Sequence, residues 1–293
     1  MADNACPLDS DWLRAHPLPT PDDNADKNER GRVLAIGGCR IVPGGIQLTV
    51  EAALRAGAGK IQVATIASSA LALGIAMPEV AVFAMPESDS GEIELSEPAP
   101  LEPLLERCDA VVAGSAMSEA AAASTIVAHL AHLCRAQLVL DAAVLMGLAA
   151  HAGALRALAR PPVLTPHIGE LAAMLDCDAG RIEQDRRRAV RDASERYGAV
   201  CVLKGPTSLI ASPDGALFAY SGGGVGLATG GSGDVLAGIV GGLCARGALP
   251  LDATLWAVWL HGEAGRRCAE QIGSIGYLAR ELLAHVPGLM RAL

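Results

Sequence analysis

The sequence predicts an α/β fold: a central, mostly parallel sheet covered by helices on both faces, with an antiparallel hairpin at one edge. Three observations carry this. Short apolar runs alternate with stretches of helical periodicity from Val33 to Lys204. Half the chain is apolar (51%) while only 3% is aromatic, which suits tight packing of helices on a sheet by Ala, Leu, Val and Gly. After Lys204 the rhythm changes to two short runs joined by Ser212-Pro-Asp-Gly215, a tight-turn signal. No linker or repeat interrupts the pattern, so 31–293 reads as one domain after an irregular arm, 1–30.

Each element has its own reason. The arm mixes Pro17, Pro19, Pro21, Asp22 and Asp23 without periodicity. Val33-Leu-Ala-Ile-Gly37 is a short apolar strand, and Ile46, Leu48, Ala52, Ala53 and Ala56 then recur at helical spacing until Gly57-Ala-Gly59 closes the helix. With the next strand, 61–66, this is a βαβ unit. Strands follow near 80–84, 110–114, 138–141, 163–165 and 200–204, with helices near 118–134, 143–158, 168–176 and 181–197 between them. The hairpin occupies 207–211 and 216–220. The rest, 235–245, 253–270 and 277–285, is helical with Gly and Pro punctuation. In such a sheet, ligands bind at the carboxyl ends of the strands.

Composition excludes several classes of function. The formal net charge is −9 and no long basic run exists, which disfavours nucleic acid and anionic membrane. The one basic cluster, Arg181, Arg186, Arg187, Arg188 and Arg191, is interleaved with Glu183 and Asp185 and reads as a solvated helix face. Eight cysteines lie at least 24 residues apart, so no C-x-x-C pair exists for metal or redox chemistry. With no apolar secretory segment at the N-terminus and no uncharged run fit to span a bilayer, a cytoplasmic, reduced protein is expected.

The chemistry concentrates in Gly222-Gly-Gly-Val-Gly-Leu-Ala-Thr-Gly-Gly-Ser-Gly-Asp-Val-Leu-Ala-Gly238. Apolar residues at 235, 236, 239, 240 and 243 start a helix there, so its free first-turn amides would face the glycine loop and form an anion site. Gly230, Gly231 and Gly233 let the backbone approach a phosphate. Asp234 has two readings: a helix cap, or a base that takes the proton of a substrate hydroxyl while the amides hold the phosphoryl group it attacks. Four further segments belong at the same sheet edge: 37–45, Asp141, Thr165-Pro-His-Ile-Gly-Glu170, and Lys204-Gly205-Pro206-Thr207. Lys204 can neutralise phosphate or be a solvated strand end. His167 can be a ligand or a structural hydrogen-bonding group. Glu170 can complement the helix dipole or contact a metal.

Together these segments resemble the ribokinase-like superfamily and, within it, the ADP- or ATP-dependent NAD(P)H-hydrate dehydratases, over about 31–287. The most specific matches are 52–59 (AALRAGAG), T-P-H-x-G-E at 165–170, L-K-G at 203–205 and GLATGGSGDVLAG at 226–238. The resemblance implies a three-layer ribokinase-like domain that repairs a damaged cofactor. A nucleotide phosphorylates the hydroxyl of hydrated NADH or NADPH, and phosphate is then eliminated. It further implies Asp234 as the base, and Gly230, Gly231, Ser232 and Gly233 as the anion hole. Lys204, Gly205, Pro206, Thr207 and Ser208 would form the nucleotide site, and Gly45, Gly114 and His167 the hydrate side. ADP or ATP as co-substrate, Mg²⁺ carried on the nucleotide with no resident metal site, a dimer or tetramer, and a separate NAD(P)H-hydrate epimerase are implied as well. The same residues are compatible with a small-molecule kinase of that superfamily, releasing a stable ester. A non-catalytic nucleotide-binding protein is the remaining reading, and a carboxylate beside a polyphosphate weighs against it.

The chain departs from the family pattern in four places. Asp141-Ala-Ala-Val-Leu145 has Ala143 where the family usually has a second acid. Gly114-Ser-Ala-Met-Ser118 replaces G-P-G-L-G, so Ala116 is expected to narrow that loop. Val42 stands for a tyrosine, and Tyr220-Ser-Gly-Gly-Gly-Val-Gly226 lacks the usual asparagines. The phosphoryl-transfer half is thus better kept than the half that recognises the hydrate.

Overall fold

Ten strands, each too short to stand alone, share one sheet in a computed structural model that describes residues 5–22, 24–95 and 100–293. They are β1 (Cys6–Pro7), β2 (Arg32–Ile36), β3 (Lys60–Ile66), β4 (Ala81–Met85), β5 (Ala110–Ala113), β6 (Gln137–Leu140), β7 (Val163–Leu164), β8 (Val200–Leu203), β9 (Ser208–Ala211) and β10 (Leu217–Tyr220). Their spatial order is β1-β10-β9-β8-β7-β6-β5-β2-β3-β4. All neighbours are parallel except β9, which runs antiparallel to both β8 and β10. This is the expected α/β architecture with its antiparallel hairpin, and β1 adds one more strand outside it.

Alternation along the strands sends side chains to two cores. Val33 and Ala35 join a layer formed by helices Gly45–Arg55, Ser232–Ala245 and Pro250–Gln271. Leu34 and Ile36 join the opposite layer, with helices Ala120–Leu133, Ile168–Met174 and Arg186–Tyr197. On the first face, helix Ser232–Ala245 lies almost in contact with helix Gly45–Arg55. A methyl at Gly238 would come within 2.2 Å of the Thr49 carbonyl oxygen, and one at Gly242 within 2.6 Å of that of Ala53. Only glycine permits this approach, and it fixes the height at which Asp234 meets the sheet edge.

Several elements differ from expectation. Part of the N-terminal arm is ordered. Asp9 caps helix Ser10–Ala15 by accepting from the amides of Asp11 and Trp12, and β1 pairs with β10. Leu13 is fully buried, Trp12 packs edge-on against Phe218, and the Trp256 indole donates to the His16 carbonyl at 2.8 Å. These anchors lie more than two hundred residues away, where local periodicity carries no signal. Asp23, one of the arm residues singled out, is outside the described residues, as are 1–4.

The single helix expected at 143–158 is three short pieces, Ala143–Met146, Leu148–His151 and Ala152–Arg156. The one at 181–197 breaks at Asp185, whose side chain caps the second segment by accepting from the Arg188 amide. In place of one helix at 277–285 the chain forms Ala279–Leu282 and, beyond it, Val286–Arg291, which has Pro287 in its first turn. Helix Ala67–Ala76 was not anticipated: its sequence is uncharged throughout, so no polar face marks a period.

Candidate active site

Strand order determines where the site lies. β8, β7, β6, β5 and β2 are consecutive neighbours, and all are parallel. The segments after them, 204–207, 165–170, Asp141, 114–118 and 37–45, therefore emerge side by side on one edge, as the sequence analysis expects. The first turn of helix Ser232–Ala245 meets them there.

Four charged groups gather at this edge. Asp141, 2% exposed, accepts from the Thr165 hydroxyl at 2.7 Å and from Lys204 Nζ at 3.0 Å, both on Oδ1. The ammonium lies 3.8 Å from Glu170 Oε2. A methyl on Gly233 would stand 3.2 Å from Lys204 Nζ and 3.6 Å from Asp141 Oδ2, so the glycine leaves the space between backbone, cation and carboxylate clear. The N-cap of the helix is Gly231, in the left-handed conformation and without a side-chain cap, and Asp234 sits in the first turn. Asp234 is therefore not the helix cap. The first-turn amides have no carbonyl four residues earlier within the helix to bond, and they carry the positive end of its dipole.

Crowding of carboxylates tunes the acids. Burial, reinforced by the neighbouring Asp141 charge, pushes the Asp234 carboxyl up to about 7, while hydrogen bonding from Ser115 and the Ala116 amide and the Lys204 charge pull it back. Glu170 is raised by burial against the pull of Lys204. Burial alone would lower Lys204, but Asp141 and Glu170 overcome it and hold the ammonium above its ordinary value. The result is a permanent cation beside an acid poised near neutrality, the state a general base requires.

His167 lies at the rim with a local structural task. Its Nδ1 accepts from the amides of Gly169 and Glu170 at 3.0 and 3.3 Å, and Glu170 Oε2 accepts the His167 amide at 2.8 Å, completing a capping box. The ring remains largely exposed. Glu170 thus has a place in helix capping and in the charge cluster at once.

On the opposite side, Gly45 opens helix Gly45–Arg55, and a methyl there would lie 2.5 Å from the Ala116 side chain. Ala116, at φ 56°, occupies the gap, so the narrowing expected of this loop is a contact with Gly45. Gly114 is buried against the Asp141 carbonyl and shapes the loop from beneath. The loop is refastened by polar groups. The Thr49 hydroxyl donates to Ser115 Oγ at 2.8 Å, the Gly38 amide donates to the Ser115 carbonyl at 2.9 Å, and the Ser118 amide donates to buried Glu92 at 2.9 Å.

The 204–208 segment is only partly open. Gly205 and Pro206 are exposed, Thr207 shares a 2.8 Å hydrogen bond with Ser221, and Ser208 is already in β9. Beneath it lies Arg186, which corrects the reading of its cluster as a purely solvated face. Its guanidinium donates to the carbonyls of Lys204 at 3.5 Å and Thr207 at 3.3 Å and abuts Gly205. Arg188, paired with Asp192, is exposed as expected. The sequence places Asp141 at this edge and Ser115 in its loop but assigns neither a role, because no local pattern shows that Asp141 meets Lys204 and that Ser115 meets the Asp234 carboxyl. Among the described residues, no three His, Cys, Asp or Glu side chains form a group that could hold a metal ion.

A family model described as NAD(P)H-hydrate dehydratase matches residues 33–287. A protein of Xanthomonas campestris pv. campestris named ADP-dependent (S)-NAD(P)H-hydrate dehydratase is 44% identical over 282 residues, 96% of this chain and 94% of its own length. A bifunctional NAD(P)H-hydrate repair enzyme of Moorella thermoacetica is 37% identical over 98% of this chain, which spans only 54% of that relative. The crystal structure of the ADP/ATP-dependent NAD(P)H-hydrate dehydratase of Bacillus subtilis, co-crystallised with ATP/Mg²⁺, superposes with a TM-score of 0.83 at 25% identity, covering 99% of both chains.

Proposed function

The chain belongs to the NAD(P)H-hydrate dehydratase family, and from that premise we propose that it uses an adenine nucleotide to dehydrate hydrated NADH or NADPH, with Asp234 as the general base. The observation that carries the assignment of roles is the convergence of Lys204, Asp141 and the Gly233 turn around Asp234. Asp234 takes the proton of the hydrate hydroxyl, whose oxygen attacks the terminal phosphorus of the nucleotide while the bond to the leaving nucleotide breaks. The amides of Gly230, Gly231 and Gly233, with Lys204, receive the charge on the transferred group. Loss of phosphate, with a ring proton, then restores the double bond.

ADP is the donor in the name of the 44% identical relative, and we take it as the donor here. The nucleotide lies along 204–208, and Mg²⁺ arrives with its phosphates, because the clustered carboxylates are already engaged by Lys204 and Thr165. Gly45, the 114–118 loop and His167 border the hydrate. The narrow Gly45–Ala116 gap is the one feature that favours a kinase acting on a smaller alcohol. Phosphorus NMR of a reaction with authentic hydrate, ADP and Mg²⁺ separates the two: inorganic phosphate and reduced cofactor in equal amounts support dehydration, and a persistent ester supports the kinase.

Arg186 gives a second expected result. Arg186→Ala releases two carbonyls of the nucleotide loop and is expected to raise the nucleotide KM about tenfold with little change in kcat, the pattern of lost binding common to ground and transition states. Steady-state kinetics at varied ADP checks it.

The setting of the enzyme is part of the proposal. All eight cysteines are free, as suits the cytoplasm, and no helix among the described residues is long and apolar enough to cross a membrane. A homo-oligomer would cover Leu71 and Ile75, 77% and 75% exposed on helix Ala67–Ala76 beside β4, the edge strand of the sheet among the described residues. An NAD(P)H-hydrate epimerase is the proposed functional partner.

A further inference from the structure

Behind the anion-binding turn lies a titratable group that the mechanism above does not use. His261, half-buried on helix Pro250–Gln271, places Nε2 2.9 Å from Ser232 Oγ and 3.0 Å from the Ser232 carbonyl oxygen. Ser232 is the first residue of helix Ser232–Ala245, and its amide donates back to Thr229 at 3.3 Å. The carbonyl can only accept, so the ring must carry its proton on Nε2 to make this contact. That one donor then serves both oxygens of Ser232, and the serine hydroxyl proton is left free to turn elsewhere.

We propose that His261 is a positioning residue for phosphoryl transfer, whose Nε2–H locks the Ser232 peptide so that the amides of the following turn stay aimed at the transferred phosphate. The inference rests on the anion-site reading of 230–233 given above. Geometry supplies the reason for the position. Helix Ser232–Ala245 begins in a run of glycines, and Gly231 offers no side chain to hold the first turn. A turn free to rotate would lose its alignment with the phosphoryl oxygens, and alignment with a transition state is worth most where the amides are already fixed. The ring is also kept uncharged. Burial, together with the nearby Lys204 charge, lowers it to about 4 against the stabilising contact with the Ser232 backbone.

The test compares His261→Leu with His261→Gln, whose side-chain amide nitrogen can reach the place of Nε2. Leu is expected to lower kcat about tenfold or more with nucleotide KM changed less than about threefold, and Gln to regain most of the loss. Thermal unfolding of each variant separates these effects from lost folding. Should the Leu variant fail to fold, His261→Asn, polar but too short to reach Ser232, takes its place. Independently of activity, nitrogen-15 NMR of histidine-labelled protein should show a neutral Nε2-protonated ring at pH 6. Full kcat in the folded Leu or Asn variant, no rescue by Gln, or an Nδ1-protonated ring overturns the inference. A wild-type protein with the expected tautomer but no dehydratase activity would instead count against the proposed function.

Discussion

Asp234→Asn is expected to lower kcat with ADP and hydrate by about 10²- to 10⁴-fold, the range lost with a general base, while nucleotide KM moves only a few-fold. The expectation follows from where the carboxylate stands. It shares the sheet edge with Asp141 and Lys204, and its elevation to about 7 places the proton it must accept near physiological pH. In the free enzyme, kcat/KM should therefore fall about tenfold per pH unit below about 7, as the base becomes protonated, and this limb should be absent from the residual activity of the Asn variant.

Stability moves in the opposite sense. An aspartate at 3.8 when unfolded and about 7 when folded keeps its proton in the native state between those values. The native state is therefore favoured by this group at low pH, and that contribution disappears as pH rises through about 7. Asparagine carries no such charge, so the variant should gain thermal stability relative to wild type across this window, with the largest difference above it. Thermal unfolding at pH 5 and pH 8 measures both. A variant less stable than wild type at pH 8 would mean the Asp234 charge is well accommodated, contrary to the crowding described here.

The second large effect concerns Lys204. Lys204→Met leaves Asp141, Glu170 and Asp234 facing one another without the cation that now reaches the first two at 3.0 and 3.8 Å. Breaking such a buried pair costs about 3 kcal/mol or more, and here the loss should shrink as pH falls, because the carboxyls can take up protons instead. Activity should drop by about 10²-fold or more, since the cation that neutralises the transferred phosphoryl group is gone. The remaining acid limb should shift to higher pH, because Lys204 is one of the groups that hold Asp234 down. Arginine should not substitute: a compact ammonium meets Asp141 at 3.0 Å, and a longer, planar guanidinium would extend past it into the space that Gly233 keeps clear for the phosphoryl group. A Lys204→Arg enzyme with wild-type kcat would show that charge alone, without the compact ammonium, suffices.

Much of this site could be read from the sequence because its parts are local. Thr165-Pro-His-Ile-Gly-Glu170 encodes a strand end followed by a capped helix, and 230–234 encodes a glycine turn opening another. Parallel strands then bring such loops together without further information, since every parallel strand ends on the same edge. What could not be read depends on packing between distant elements. Arg186 reads as one of a row of surface arginines until helix Arg186–Tyr197 is laid beneath the 204–207 loop. His261 acquires its partner, 29 residues away in sequence, only when two successive helices pack side by side. Ser115, which stands where the family pattern has a proline, is a buried hydroxyl between Thr49 and the Asp234 carboxylate. The narrowing by Ala116 could be anticipated because it needs only the size of a methyl group, although its contact with Gly45 needed the fold.

The most direct measurement is the recovery of absorbance at 340 nm when purified protein is given authentic NADH or NADPH hydrate with ADP and Mg²⁺, run beside Asp234→Asn. Full recovery by the wild type, one inorganic phosphate per cofactor restored, and at most about one hundredth of that rate in the variant is the predicted result. A wild type that consumes nucleotide and hydrate without restoring absorbance, or an Asn variant as fast as the wild type, would contradict it.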